Sequence, residues 1–234
     1  MSLQIYIFVF NIQILFKKKY ILMKIKNNSN ILSGIKNIIF DFGGVIINID
    51  YSACVKEFKN FNVVNFDYIY SQSQQITLFD DFEKGFISPD FFRNKIRELF
   101  NFNLSDEEID FAWNKIIIDI PDERIRLLKK LRKKHSIFLL SNTNEIHYKF
   151  YNKMFFDKYK YNLSDLFNKA YFSFYIGMKK PDRKIFEFLI KDNDLIPEET
   201  LFIDDSIQNF MESEKLGIKS CFIDKGQDIV DIFK

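Results

Sequence analysis

The stretch Ile38-Ile39-Phe40-Asp41-Phe42-Gly43-Gly44-Val45-Ile46-Ile47 constrains the fold more than any other part of the chain. An apolar run ends on one aspartate, and two glycines follow at once. The run predicts a strand buried on both faces, as parallel sheets require. Asp41 then stands at the carboxyl end of that strand, where open α/β sheets place their ligands. The glycines let the backbone turn sharply and come close to whatever the carboxylate touches. A carboxylate in such a place serves as a nucleophile or a metal ligand. A strand ending in Asp-X-Gly also describes an ordinary βα turn, so its chemistry depends on what joins it.

From Gly34 onward the chain alternates between strand and helix patterns. Strands are predicted over 37–40, 136–140, 169–172, 201–203 and 219–223. Helices are predicted over 122–133, opening with Pro121 and acidic residues, over 182–190 just after Pro181, and over 206–216 with Gly217 as C-cap. This rhythm predicts an α/β fold, a Rossmann-like parallel sheet with helices on both faces. Residues 53–118 break the rhythm. Ser88-Pro89-Asp90 and Ser105-Asp106-Glu107-Glu108 are helix starts, the second a capping box running on to Trp113. The stretch is too long for a sheet loop, so a small all-helical cap inserted after the first strand is expected. The expected division is an extension outside the fold at 1–33, a core of 34–52 and 119–234, and a cap at 53–118.

Composition excludes several classes. With 234 residues, 47% hydrophobic, the chain can bury a sizeable core. A net charge of +2 leaves no broad basic field of the nucleic-acid-binding kind. Lys129-Lys130 and Arg132-Lys133-Lys134 fall on a predicted helix and read as a solvated face. Cys54 and Cys221 share no metal-ligand spacing and read as buried thiols in a reducing compartment. His135 and His147 make no metal motif, and His147 is expected to pack or to cap a helix. The apolar stretch from Leu3 to Phe16, ahead of Lys17-Lys18-Lys19, is too short and too interrupted for a membrane span. It also lacks the features of a secretory signal. No stable membrane association and no nucleic-acid partner are expected, and the expected setting is the cytoplasm. Nothing in the sequence sets an oligomeric state.

Four elements line up at strand ends. Asp41 follows the first strand, and Ser141-Asn142-Thr143-Asn144 follows the second. Lys180 lies in Gly177-Met178-Lys179-Lys180-Pro181, and Asp204-Asp205 follows Ile203. The topology brings all four to one crevice. Together they suit phosphoryl transfer. A carboxylate attacks phosphorus, an oxygen-bound cation shields charge, a lysine steadies the developing negative charge, and a hydroxyl and an amide grip the phosphoryl oxygens.

In order and spacing, this set resembles the haloacid dehalogenase-like hydrolase superfamily, subfamily I with a helical cap, over about Gly34 to Lys234. Within it the chain looks most like the glucose-1-phosphatase-type proteins and the phosphatase domain of soluble epoxide hydrolases. The resemblance implies that Asp41 is the nucleophile and a Mg²⁺ ligand, and that Gly43 offers Mg²⁺ its backbone carbonyl. It implies Ser141 and Asn142 as phosphate-binding residues and Lys180 as a catalytic and phosphate-binding lysine. Asp205 would be a direct Mg²⁺ ligand, with Asp204 a second ligand or its neighbour in support. The implied activity is Mg²⁺-dependent hydrolysis of a small phosphorylated metabolite such as a sugar phosphate.

One position departs from the usual pattern. Most phosphatases of this kind carry a second Asp two residues after the nucleophile as general acid, and here that place is Gly43. Loss of a general acid costs about 10²–10⁴-fold in rate. A good leaving group would lessen the need, and Asn48 or Asp50 acting through water could substitute. The alternatives are a slow or non-catalytic phosphometabolite-binding relative and a 2-haloacid dehalogenase. The pair Asp204-Asp205 argues against the dehalogenase, because without a cation three close carboxylates repel one another. In the cap, Glu83 and Lys84 beside Gly85 are candidates for reaching the site.

Overall fold

The computed structural model describes residues 31–63, Phe66 and 77–234. Strand β1 (Asn37–Phe40) has Ile38, Ile39 and Phe40 almost wholly buried, as its apolar run requires. A tight turn leads to the short β2 (Asn48–Ile49). Helix α1 (Tyr51–Asn60) starts at Asp50, whose carboxylate accepts the Ser52 N–H. Helices α2 (Thr77–Glu83), α3 (Pro89–Phe100) and α4 (Asp106–Asn114) follow. Ser88 caps α3 ahead of Pro89, and Ser105 and Glu108 form the predicted capping box of α4. The rest runs β3 (Ile117–Asp119), α5 (Asp122–Leu131), β4 (Ser136–Ser141), α6 (Glu145–Tyr159), β5 (Lys169–Phe172), α7 (Arg183–Asp192), β6 (Thr200–Asp204), α8 (Ile207–Glu214) and β7 (Lys219–Phe222).

Five strands form one parallel sheet in the order β5-β4-β1-β6-β7. The order runs one way from β1 through β4 and the other way through β6, so β1 marks the topological switch point, where such sheets bind ligands. Phe40 pairs with Leu139 on one side and Ile203 on the other. That register sets Asp41, Leu140 and Asp204 level at the carboxyl edge.

Alternate residues of each strand feed opposite faces. Ile38, Phe40, Leu139 and Ile203 pack with Leu128 of α5 and Phe155 of α6. Ile39, Phe138, Leu140 and Phe202 pack with Ile185, Phe186 and Leu189 of α7 on the other side. The predicted Rossmann-like layering is thus present, with both faces of the sheet covered.

The helices between β2 and β3 gather a separate apolar cluster that includes Phe58, Phe66, Phe82, Phe92, Ile96 and Trp113. The chain enters and leaves this region through β2 and β3, which pair antiparallel. The ribbon escapes sequence reading because strands of two and three residues are too short to show an alternation. The two regions also touch at Gly85 (φ +71°), where an added Cβ would sit 2.1 Å from the Phe174 carbonyl oxygen. Helices α5 and α8 end a residue or two before their predicted limits, within ordinary fraying.

Of the expected N-terminal extension, residues 1–30 lie outside the described residues, while Ile31 and Leu32 pack against the main core. Among the described residues, no helix is long and apolar enough to cross a membrane.

Phe92 tests the second cluster. Its buried ring stacks on Phe82 at 4.2 Å between centroids and meets Trp113 at 5.2 Å. Phe92→Ala should lower the unfolding free energy by about 3–5 kcal/mol in a urea titration. A loss below about 1 kcal/mol would show that this cluster is not close-packed.

Candidate active site

The site is built where β1, β4 and β6 end. The Asp41 N–H donates to the Ile203 carbonyl at 2.9 Å, which fixes the aspartate against β6. Asp41, Asp204 and Asp205 each bring a carboxylate oxygen within 4.8 Å of the others. Lys180 enters from the loop before α7 and is 2% exposed. Its Nζ donates to Asp41 Oδ1 at 2.5 Å, to Asp204 Oδ2 at 2.8 Å and to the Leu140 carbonyl at 2.8 Å. Those three bonds use every proton an ammonium has.

Neighbouring residues hold these groups in place. Asn142 pairs with the main chain of Lys180 in both directions. Its Oδ1 accepts the Lys180 N–H at 2.9 Å, and its Nδ2 donates to the Lys180 carbonyl at 2.8 Å. Both polar atoms of the Asn142 side chain therefore position the lysine. Asp204 is fully buried and accepts from the Ser206 N–H at 2.7 Å and from Asn209 Nδ2 at 3.0 Å to each oxygen. Asp205 is exposed. Gly44 (φ +72°) lets it lie close: a Cβ there would be 2.2 Å from Asp205 Oδ2.

Three carboxylates meet one ammonium. Burial is the largest influence on Asp41 and raises its carboxyl to about 7, against the pull of Lys180. Although Asp205 is exposed as a residue, its carboxyl loses water to the packed strand ends, and that loss and then the Asp204 charge raise it to about 6. Burial alone would lower Lys180, but Asp204 and Asp41 outweigh it and hold the ammonium above its ordinary range. The cluster thus carries two more negative charges than positive when fully ionised. A divalent cation taking oxygen ligands is the matching complement, and the carboxylates of Asp41, Asp204 and Asp205 could hold one; Gly43 lines the adjoining cleft.

Next to this cluster lies a cleft of about 90 Å³, lined by Gly43, Ser141, Asn142, Tyr51, Glu83 and His147 among others. Glu83 lines it while paired with Lys179 at 2.7 Å; Lys84 instead pairs with Asp80 at 2.5 Å. Asn48 and Asp50, the expected substitutes for a general acid, are engaged elsewhere. Asn48 donates to Asp119 at 2.7 Å. Hydrogen bonds from the Ser52 hydroxyl and N–H hold Asp50 below the usual carboxylate range, so it keeps no proton to give. Both residues line a separate groove beside Asp205. The sequence reading set His147 at the mouth of the crevice with a packing or capping role, and it left Tyr51 out of the cleft. His147 is reached only through its place in the first turn of α6 after the Asn144 cap. Cys54 and Cys221 are free and buried, as expected.

A model of the haloacid dehalogenase-like hydrolases matches residues 35–210. This chain belongs to that family. The hydrolase is similar to the D-ribitol-5-phosphate phosphatase of Bacteroides thetaiotaomicron, 34% identical over 194 residues that cover 83% of this chain and 94% of that protein. It is also similar to the HAD family enzyme BT-2542 from Bacteroides thetaiotaomicron in complex with magnesium and inorganic phosphate. That likeness has a TM-score of 0.78 and 40% identity and covers 86% of this chain and 100% of that one. A HAD-like family hydrolase from Porphyromonas gingivalis gives a TM-score of 0.76 at 32% identity, covering 82% and 93%.

The electrostatics set a pH signature for this hydrolase. A carboxyl at about 7 when folded and 3.8 ordinarily binds its proton more tightly in the folded chain. Its contribution to stability is full at low pH and drains away as pH rises from 3.8 to about 7. Asn mimics the protonated form at every pH. In EDTA, the melting temperature of Asp41→Asn relative to wild type should therefore rise between about pH 5 and about pH 8. A constant difference would contradict an Asp41 carboxyl that burial raises in spite of its pairing with Lys180.

Proposed function

We propose that this hydrolase is a Mg²⁺-dependent phosphatase acting on a small phosphomonoester, a sugar or sugar-alcohol phosphate, through a phospho-aspartate on Asp41. The observation that carries this reading is the cluster of Asp41, Asp204 and Asp205 around a fully engaged Lys180, next to a cleft lined by Ser141 and Asn142. The D-ribitol-5-phosphate phosphatase and the magnesium and phosphate complex of BT-2542 support it. The two free buried cysteines fit a reducing, cytoplasmic setting.

In this reading Asp41 attacks phosphorus with one carboxylate oxygen while the ester oxygen departs and takes its proton from water. Water then cleaves the acyl phosphate, releasing inorganic phosphate and restoring Asp41. Lys180, held by Asp204, Leu140 and Asn142, keeps its ammonium against Asp41 and the transferring group. The Ser141 hydroxyl and the Asn142 main-chain N–H bind the phosphoryl oxygens, while the Asn142 side chain stays on the Lys180 main chain. Asp41, Asp205, Asp204 and the Gly43 carbonyl would hold Mg²⁺, which neutralises phosphoryl and carboxylate charge when bound. The helices of residues 53–118 act as a cap that closes over the cleft and excludes water.

Gly43 keeps a second reading in play, a relative that binds a phosphorylated metabolite with little or no turnover, because no carboxyl stands there to protonate the leaving oxygen. Phosphate release from sugar and sugar-alcohol phosphates separates the two. The phosphatase reading expects release that needs Mg²⁺, stops in EDTA and falls by at least about 10³-fold in Asp41→Asn. Binding of these esters without release in wild type would establish the second reading instead.

A further inference from the structure

We propose that His147 is a specificity-determining residue whose Nε2 accepts a hydrogen bond from a hydroxyl on the leaving group, so that the cleft selects polyhydroxylated esters. The proposal rests on the phosphatase reading above and assigns the part of the cleft beyond the phosphoryl group.

His147 sits in the first turn of α6. Its N–H donates to the capping Asn144 at 3.1 Å, which places the residue directly after the Ser141–Asn144 segment. Two residues at the end of α4 fix the ring. Trp113 stacks on it at 5.1 Å between centroids and 9° between planes. Nδ1 lies 2.9 Å from Asn114 Oδ1, and Asn114 is itself buried. Facing a carbonyl oxygen, Nδ1 carries the ring proton, which leaves the lone pair on Nε2. Burial lowers the ring to about 3, so the imidazole stays neutral. A neutral ring in this tautomer is a hydrogen-bond acceptor and has no spare proton for the leaving oxygen.

Nε2 is the polar atom of this side chain left for a ligand. Among the described residues, the hydrogen bonds of His147 are the backbone bond to Asn144 and the Nδ1 bond to Asn114. The ring lines the same cleft as Gly43 and Ser141. Other walls of that cleft are apolar, including Phe42, Ile49, Ile116 and Ile117. In such a pocket a few fixed polar groups set orientation and choice of ligand. A hydroxyl on the leaving group satisfies Nε2, whereas a hydrocarbon chain leaves it buried and unpaired.

The test compares D-ribitol 5-phosphate with n-pentyl phosphate, which matches it in chain length and has no hydroxyl. Wild type, His147→Asn and His147→Gln are assayed with Mg²⁺, and their melting temperatures are measured. Asn retains an amide N–H to donate to Asn114 and removes the acceptor; Gln can return a carbonyl oxygen near the Nε2 position. The expected result is a fall of about tenfold or more in kcat/KM for the ribitol ester in His147→Asn. The pentyl ester should be hardly affected, and His147→Gln should recover part of the loss. An equal fall on both esters, or none on the ribitol ester, would overturn the proposal. So would a wild type that turns over both esters equally well. A wild type that hydrolyses p-nitrophenyl phosphate but neither alkyl ester would overturn the proposal and leave the phosphatase standing. No release from any of the three would overturn both.

Discussion

The Lys180 ammonium, buried between Asp41 and Asp204, is the interaction on which the rest of the structure turns. Charges taken out of water cost several kcal/mol each unless they are paired and hydrogen-bonded. The sheet register meets that demand by ending β1, β4 and β6 level, so that two carboxylates and the Leu140 carbonyl face one ammonium. Asn142 and Asn209 then fix the lysine main chain and the Asp204 carboxylate. Replacing Lys180 would leave buried like charges together, which places the lysine in the architecture. What this pairing does not balance is the remaining negative charge of Asp41 and Asp205, and that surplus is the case for a divalent cation.

The second region acts on the space beyond the charges. It is tied to the sheet by the β2–β3 ribbon, by Lys179 reaching Asp80 and Glu83, and by the close approach of Gly85 to Phe174. It also sets the His147 ring through Trp113 and Asn114. Core and insert therefore build the cleft together: the strand ends supply the anionic cluster, and α4 orients the imidazole that lines the cleft. Gly43 fits the same picture. A Cβ there would come within 3.3 Å of Ile49 Cδ1, so a larger residue would need that side chain to give by a few tenths of an ångström.

Much of this was legible in the sequence because its physical signals are local. Runs buried on both faces, such as Ile38–Phe40 and Leu201–Ile203, announce parallel strands, and Ser88 and Ser105 announce helix starts. The ordered residues Asp41, Ser141, Lys180 and Asp204-Asp205 were readable because each follows a strand or opens a helix. The illegible parts depend on contacts between distant segments. The use of the Asn142 amide on Lys180 spans 38 positions, and the His147–Asn114 bond spans 33. The need for glycine at position 44 is set by Asp205, far along the chain. The β2–β3 ribbon was missed for a different reason: it is too short to carry a period.

The central claim is that three carboxylates around one lysine form a site for a single divalent cation. Calorimetric titration of Mg²⁺ into wild type and Asp205→Asn tests it without reference to turnover. The account predicts one Mg²⁺ per wild-type chain and an affinity at least about tenfold weaker in Asp205→Asn. Wild type that binds no Mg²⁺, or an Asp205→Asn variant that binds it equally well, would contradict the account.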